Sequence, residues 1–310
     1  SRVLLDPPPP VHREHLARGG LTIKTTLDPD IQDQALNAVR SHTAPDAEGV
    51  AEVMNVIKPG ADSRKVLAMV SSRTYGLDLD NHETLLPQPN SLVGNGAGSV
   101  FKLFTAAAAL ESGYGIKDRL AVPNRYEAEG LGFGGAENCP PNKYCVENEG
   151  NHAATMTMQD TLAYSPNTPF IELIEQLGVE QVVDMAVKLG LRSYEDPGSY
   201  DGDASIADHI KNANLGSFTL GPTAVNALEL SNVGATVASE GMWCEPNPIE
   251  EVTDAHGNEV YLKHTPCERA VGKEVAKALE NNMTADTQKG TASASARAAA
   301  VSYTHLRAHE

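Results

Sequence analysis

The chain is 310 residues long and 41% hydrophobic, enough to bury one large core or two modest ones and too apolar for whole-chain disorder. Its 24 Lys and Arg stand against 41 Asp and Glu, a formal net charge of −17. That balance excludes nucleic acid as the main partner, because phosphate-backbone binding needs a cationic surface to displace counterions. The acidity is concentrated, with 4 Lys and Arg against 15 Asp and Glu between positions 121 and 210. No stretch approaches the roughly 18 apolar residues of a membrane span. The longest apolar run, Leu103 to Leu110, is interrupted by Thr105. No charged-then-apolar signal peptide is present, and because the chain opens on Ser1 rather than Met, its true amino terminus is expected to be missing or processed away.

In chain order, residues 1–48 read as a connector. Pro7 to Pro10 favour a stiff extended segment. Leu21 to Leu27 alternates like a half-buried strand, and a helix follows to Val39 with Asp28 as N-cap and Pro29 at its first position. Glu52–Ile57 and Lys65–Ser71 form a hairpin around Pro59-Gly60-Ala61-Asp62. From Ser99 to Leu110 the pattern predicts a helix apolar almost all round, hence interior, that Gly113 stops. Further helices are predicted over Thr155–Tyr164, Pro169–Leu177, Val179–Leu189, Pro222–Ser239 and Gly272–Met283. A second hairpin is predicted from Glu250–Thr253 to Asn258–Tyr261, turning through Asp254–Gly257. Strands at the start, a helical middle and strands late in the chain predict a mixed α/β domain.

The four cysteines fall in two sequence-local pairs, Cys139/Cys145 and Cys244/Cys267, and four cysteines allow three connectivities. The spacing is unlike a CxxC metal clip. The short Pro/Asn loop from Cys139 to Cys145 suits a local bridge in an oxidising compartment. His12-Arg13-Glu14-His15 has a His spacing of three where a zinc helix needs four, so no metal is expected. Gly94-Asn-Gly96-Ala-Gly98 completes neither a dinucleotide fingerprint nor a P-loop. Its glycines instead predict close backbone approach to a reactive side chain at the start of the next helix.

That side chain is Ser99, with Lys102 three residues on and therefore on the same helical face. Serine is a weak nucleophile until a base takes its proton. A lysine serves as that base only when burial or a neighbouring cation lowers its pKa, and the apolar helix here offers burial. The helix N-terminus also places positive potential where an oxyanion would form. Support comes at Tyr164-Ser165-Pro166-Asn167-Thr168-Pro169, where a rigid turn between helices presents a hydroxyl and an amide.

Together these segments resemble the transpeptidase domain of class A, bifunctional penicillin-binding proteins. Gly98-Ser99-Val100-Phe101-Lys102 matches the family's serine box and Ser165-Pro166-Asn167 its second box. The strand and Asp28-Pro29 junction, the Val53–Ser71 hairpin, Asn214-Leu215-Gly216, the Pro222–Ser239 helix and the Ile249–Val260 hairpin follow in family order. The resemblance implies a serine β-lactamase-like, D,D-peptidase fold, an antiparallel sheet flanked by helices, and no cofactor. It implies that Ser99 attacks the penultimate D-Ala carbonyl of a peptidoglycan stem peptide, that Lys102 is the acylation base and that Ser165 relays a proton. Gly98, Tyr164 and Asn167 become substrate-binding positions. Donor and amine-acceptor stem peptides and β-lactams are the implied partners, at the extracytoplasmic face of a bacterial membrane reached through an anchor upstream of Ser1. Class B and β-lactamase-like enzymes are alternatives that the Thr22–Leu27 strand and Asp28-Pro29 argue against. A β-lactam sensor or silent scaffold is the non-enzyme alternative.

The family's third box, Lys-Thr/Ser-Gly, does not occur; Lys289-Gly290-Thr291-Ala292 has another order and resembles a segment that precedes that box. On the resemblance, residues 49–300 are an incomplete transpeptidase domain and Val301–Glu310 a foreign tail of the kind left by frame-shifted gene models. The hairpin is then expected to lack strand partners, and the chain to fold poorly and be inactive.

Overall fold

The computed structural model describes residues 19–262 and 264–298. The polyproline run, the His12–His15 segment and Val301–Glu310 lie outside the described residues. The fold divides into two compact units, one of residues 19–91 and 243–268, the other of residues 92–242 and 269 onward.

In the first unit, β1 (Thr22–Thr25) leads to α1 (Pro29–His42). The Asp28 carboxylate accepts the N–H groups of Asp30 and Ile31 at 3.0 and 3.2 Å, satisfying donors that have no partner within the helix. The helix runs one turn past the predicted Val39, because Thr43 N–H closes on the Val39 carbonyl only at 2.9 Å beyond it. Next, β2 (Val53–Lys58) and β3 (Lys65–Ser71) form the predicted antiparallel hairpin. Its alternation puts Met54, Val56, Ala68 and Val70 on one face, against Ile31, Ala35, Leu36 and Val39 of α1. Gln32 locks the two layers, its amide both donating to and accepting from the Met69 backbone at 2.9 Å.

Two sequence expectations change here. The β1 strand is exposed along its length, Ile23 included, so its alternation reflects pairing rather than burial. It pairs with the strand Ile249–Thr253, Ile23 opposite Val252. The predicted second hairpin shrinks to one bridge, Thr253 to Glu259, and a bond from Val260 N–H to Val252. Asp254 explains this, since its carboxylate draws the N–H groups of His256 and Asn258 into the turn at 2.8 and 2.9 Å. Cys244 and Cys267 are disulfide-bonded within this unit.

The second unit is built round α2 (Lys102–Glu111), buried from Lys102 to Leu110. The helix proper begins three residues later than predicted, because Gly98–Phe101 forms a tighter 3₁₀ turn. Phe101 packs edge-on to Phe104 and Phe218, with centroids 5.2 and 5.3 Å apart, and fixes that turn in the core. Against α2 pack α3 (Met158–Tyr164), α4 (Thr168–Leu177), α5 (Val179–Leu189) and α8 (Lys273–Lys289), while α6 (Ile206–Asn212) and α7 (Ala227–Ala238) pack on α5 and α7 also on α8. The predicted Thr155–Tyr164 helix divides: Thr155–Thr157 pairs as a strand with Arg119–Ala121, and the Thr157 hydroxyl caps α3. The Pro222–Ser239 helix starts only at Ala227, where the Asn226 side chain caps it. In contrast α8 overruns its predicted end, continuing from Met283 to Lys289.

Beside α4 stands a small sheet of Arg125–Glu129, Gly134–Gly135 and Lys143–Glu147, the last strand central. The Cys139–Cys145 disulfide ties its connecting arm. The architecture is the mixed α/β one expected, and no helix among the described residues is long and apolar enough to cross a membrane.

Candidate active site

Ser99 is the second residue of the 3₁₀ turn and Lys102 the first of α2. Side chains three apart eclipse in 3₁₀ geometry, so the two share a face even more closely than in an α-helix. Ser99 is exposed, whereas Lys102 is only 1% exposed. The turn is set by backbone contact between glycines. Gly98 N–H donates to the Gly221 carbonyl at 3.1 Å. A Cβ on Gly96 would stand 2.0 Å from Gly221 O, and one on Gly221 2.2 Å from Gly98 O. Both glycines also have positive φ. The Gly-rich loop therefore approaches another backbone segment rather than a reactive side chain, as its sequence had suggested, and it aims Ser99 indirectly.

Lys102 Nζ donates to Ser165 O at 2.6 Å, Ser165 Oγ at 2.9 Å and Asn167 Oδ1 at 2.9 Å. An ammonium has three donors, and three neutral oxygens use them. The Phe170 ring lies 5.6 Å from Nζ. Burial among such groups disfavours the charged form and brings Lys102 down to about 8, with Glu149 pulling weakly the other way. A lysine that is partly neutral near neutrality is a competent proton acceptor.

Ser165 reaches Lys102 with both its carbonyl and its hydroxyl because its backbone is left-handed, at φ 56°. It ends α3, its N–H closing on Thr161 at 2.9 Å. A non-glycine residue there carries about 1 kcal/mol of strain. Asn167 divides its amide, Oδ1 accepting from Lys102 and Nδ2 donating to Glu147 O at 2.9 Å. The sequence-predicted Lys102, Ser165 and Asn167 are thus in direct contact. Ser99 stands one 3₁₀ turn before Lys102, and Gly98 and Tyr164 each precede a serine of the site, Tyr164 being 40% exposed.

Three contributors escaped the sequence reading, Asn148, Glu149 and Gly221, because each reaches the site through tertiary structure; Phe170 lies three residues after Asn167 in the same segment. Among the described residues no group of three His, Cys, Asp or Glu is placed to hold a metal, and the four cysteines are all in disulfides. Of the acidic residues, Glu147 pairs with Arg125 at 2.7 Å while Glu149 bears on Lys102.

A profile of the penicillin-binding protein transpeptidase domain matches residues 60–308. Peptidoglycan D,D-transpeptidase PbpA of Mycolicibacterium smegmatis is 28% identical over 87% of this chain and 57% of its own length. Penicillin-binding protein 1A of Mycobacterium tuberculosis is 25% identical over 89% of this chain and 30% of its own. The chain therefore spans between about a third and somewhat over half of these relatives. Among solved structures, PBPA and PonA1 of M. tuberculosis, each 21% identical, superpose with TM-scores of 0.66 and 0.65. They cover 89% and 90% of this chain and 66% of their own, a likeness of fold. With the serine turn, the buried lysine and the second-box contacts in family order, this chain belongs to the penicillin-binding protein transpeptidase domain family.

Proposed function

We propose that these residues carry the acyl-transfer chemistry of a D,D-transpeptidase that cross-links peptidoglycan stem peptides. Ser99 Oγ forms a bond to the penultimate D-Ala carbonyl carbon as its proton passes to neutral Lys102. The C–N bond to the terminal D-Ala then breaks, and the proton leaves on that amine by way of Ser165 Oγ. An acceptor amine attacks the acyl-serine and restores Ser99; water in its place gives carboxypeptidase activity. The Ser99 N–H at the turn contributes to stabilising the oxyanion. β-Lactams acylate the same serine. The single observation that carries this reading is the buried Lys102 with Nζ on Ser165 and Asn167 and its pKa lowered to about 8.

Solved relatives of the same fold include imipenem and penicillin G acyl-enzyme complexes, which supports the β-lactam reaction. The kinship to penicillin-binding protein 1A supports a bifunctional parent with a glycosyltransferase domain, and two disulfides support an extracytoplasmic site.

The test is intact-protein mass spectrometry after prolonged incubation with penicillin G. One adduct per wild-type chain and none on Ser99→Ala is the expected result; an adduct that persists in Ser99→Ala overturns the reading.

A further inference from the structure

The second-box turn has an unusual division of labour. Asn167 stands at the N-cap of α4, a position where an asparagine side chain normally accepts the first free N–H groups of its own helix. Here it makes no cap bond, because both ends of its amide are committed elsewhere, Oδ1 to Lys102 and Nδ2 to the Glu147 carbonyl. Nor do the donors that an N-cap side chain accepts stand open here, since Pro169 has no N–H and the Phe170 N–H closes on the Asn167 carbonyl at 3.2 Å.

The N–H groups of Asn167 and Thr168 are met from outside the helix. Asn148, the residue after the strand Lys143–Glu147, accepts Asn167 N–H at 2.7 Å and Thr168 N–H at 3.0 Å on its Oδ1. Its Nδ2 donates to Pro123 O at 2.9 Å and to Thr168 Oγ1 at 3.0 Å. The Thr168 hydroxyl in turn donates to Pro123 O at 2.8 Å. Two donors and two acceptances exhaust what an asparagine amide commonly offers, so Asn148 is held in one orientation. Its backbone N–H bonds to Asn124 O at 3.3 Å, tying it to the chain that carries Pro123.

We infer that Asn148 is a positioning residue of the acyl-transfer site: by accepting the backbone N–H groups of Asn167 and Thr168 it clamps the turn that presents Asn167 to Lys102. The inference rests on the functional reading above for its kinetic consequence but not for its structural one. Without Asn148 those two N–H groups lose their acceptor, and nothing else among the described residues fixes the backbone of the turn at Asn167 and Thr168 on that side. A shift of the turn draws Asn167 Oδ1 away from Nζ and loosens the Ser165 contacts on the same ammonium.

Two measurements decide it, on the whole chain. Penicillin acylation is followed above the Lys102 transition, resolving the acylation rate constant from the initial affinity. Asn148→Ala should lower the rate constant about 30-fold and leave affinity within about threefold, as displacement of a reacting group does. Asn148→Asp, which keeps the accepting oxygen, should recover most of that rate. Ser205→Ala removes the cap of α6, whose serine accepts Asp208 N–H at 3.0 Å, and controls for cap loss elsewhere in the same unit. It should leave acylation unchanged. Second, amide hydrogen exchange at Asn167 and Thr168 should quicken at least about tenfold in Asn148→Ala and not in Ser205→Ala. Unaltered exchange there overturns the inference, as does wild-type acylation kinetics in a folded Asn148→Ala. If the wild-type Ser99 takes no adduct, the functional reading fails, while the exchange rates still decide the positioning role.

Discussion

Lys102 links burial to reactivity. As a base it must be neutral, and burial lowers its pKa from 10.5 to about 8. The acylation rate of Ser99 should therefore rise with pH through about 8 and level off above it. Glu149 raises that pKa, so Glu149→Gln should move the rise to lower pH, as a stopped-flow or quench-flow profile would show. An unmoved profile would separate Glu149 from the site. Replacing Lys102 by Ala should cost on the order of a thousandfold in acylation rate, the usual worth of a positioned base. At this scale the sequence was informative where chemistry lies in local spacing. Ser99 and Lys102 sit three apart, and Ser165 and Asn167 share one turn. Asn148 and Glu149 carry no such signal, because nothing in a linear sequence shows that a loop 19 residues before Asn167 will accept its N–H.

Elements were legible to the degree that their ends carry side-chain signals. Asp28-Pro29 started α1 where predicted, and Asp28→Ala should cost about 1 kcal/mol by denaturant titration. The start of α7 was misplaced because Asn226, not Pro222, supplies its cap. The Gly-rich loop was legible as special but not in its purpose, since its partner Gly221 lies far along the chain. Gly221→Ala forces a Cβ to 2.2 Å from Gly98 O, so it should both destabilise the protein and slow acylation of Ser99 at least tenfold. Gly178→Ala is the matched comparison. Gly178 also has positive φ, at 92°, but meets nothing within 4 Å, so its replacement should lose about 2 kcal/mol of stability through backbone strain alone and keep the reactivity of Ser99. Equal kinetic losses in the two variants would mean that backbone strain, not the approach to Gly98, governs the serine turn.

On the scale of the molecule, each disulfide closes a loop inside one unit. Loop-closure entropy makes the longer loop the larger contributor. With separations of 23 and 6 residues, Cys244/Cys267→Ser should cost about 3 kcal/mol and Cys139/Cys145→Ser about 2 kcal/mol in denaturant unfolding. The reverse order would show that the Cys139–Cys145 arm stabilises through packing against the sheet. The two local pairs were visible in the sequence; that they bond as such is a tertiary result. The hairpin expected to lack strand partners does form a sheet of its own two strands, joined outside it among the described residues only by a bridge from Lys65 to Asn247, and α1 covers one of its faces.

All of this converges on one serine. After incubation with penicillin G, trypsin should release Thr74–Lys102, and fragmentation of that peptide locates the penicilloyl group. The account predicts it on Ser99, formed far more slowly in Lys102→Ala. A penicilloyl group on Ser91, an unmodified Thr74–Lys102 peptide, or equal rates with and without Lys102 would contradict it.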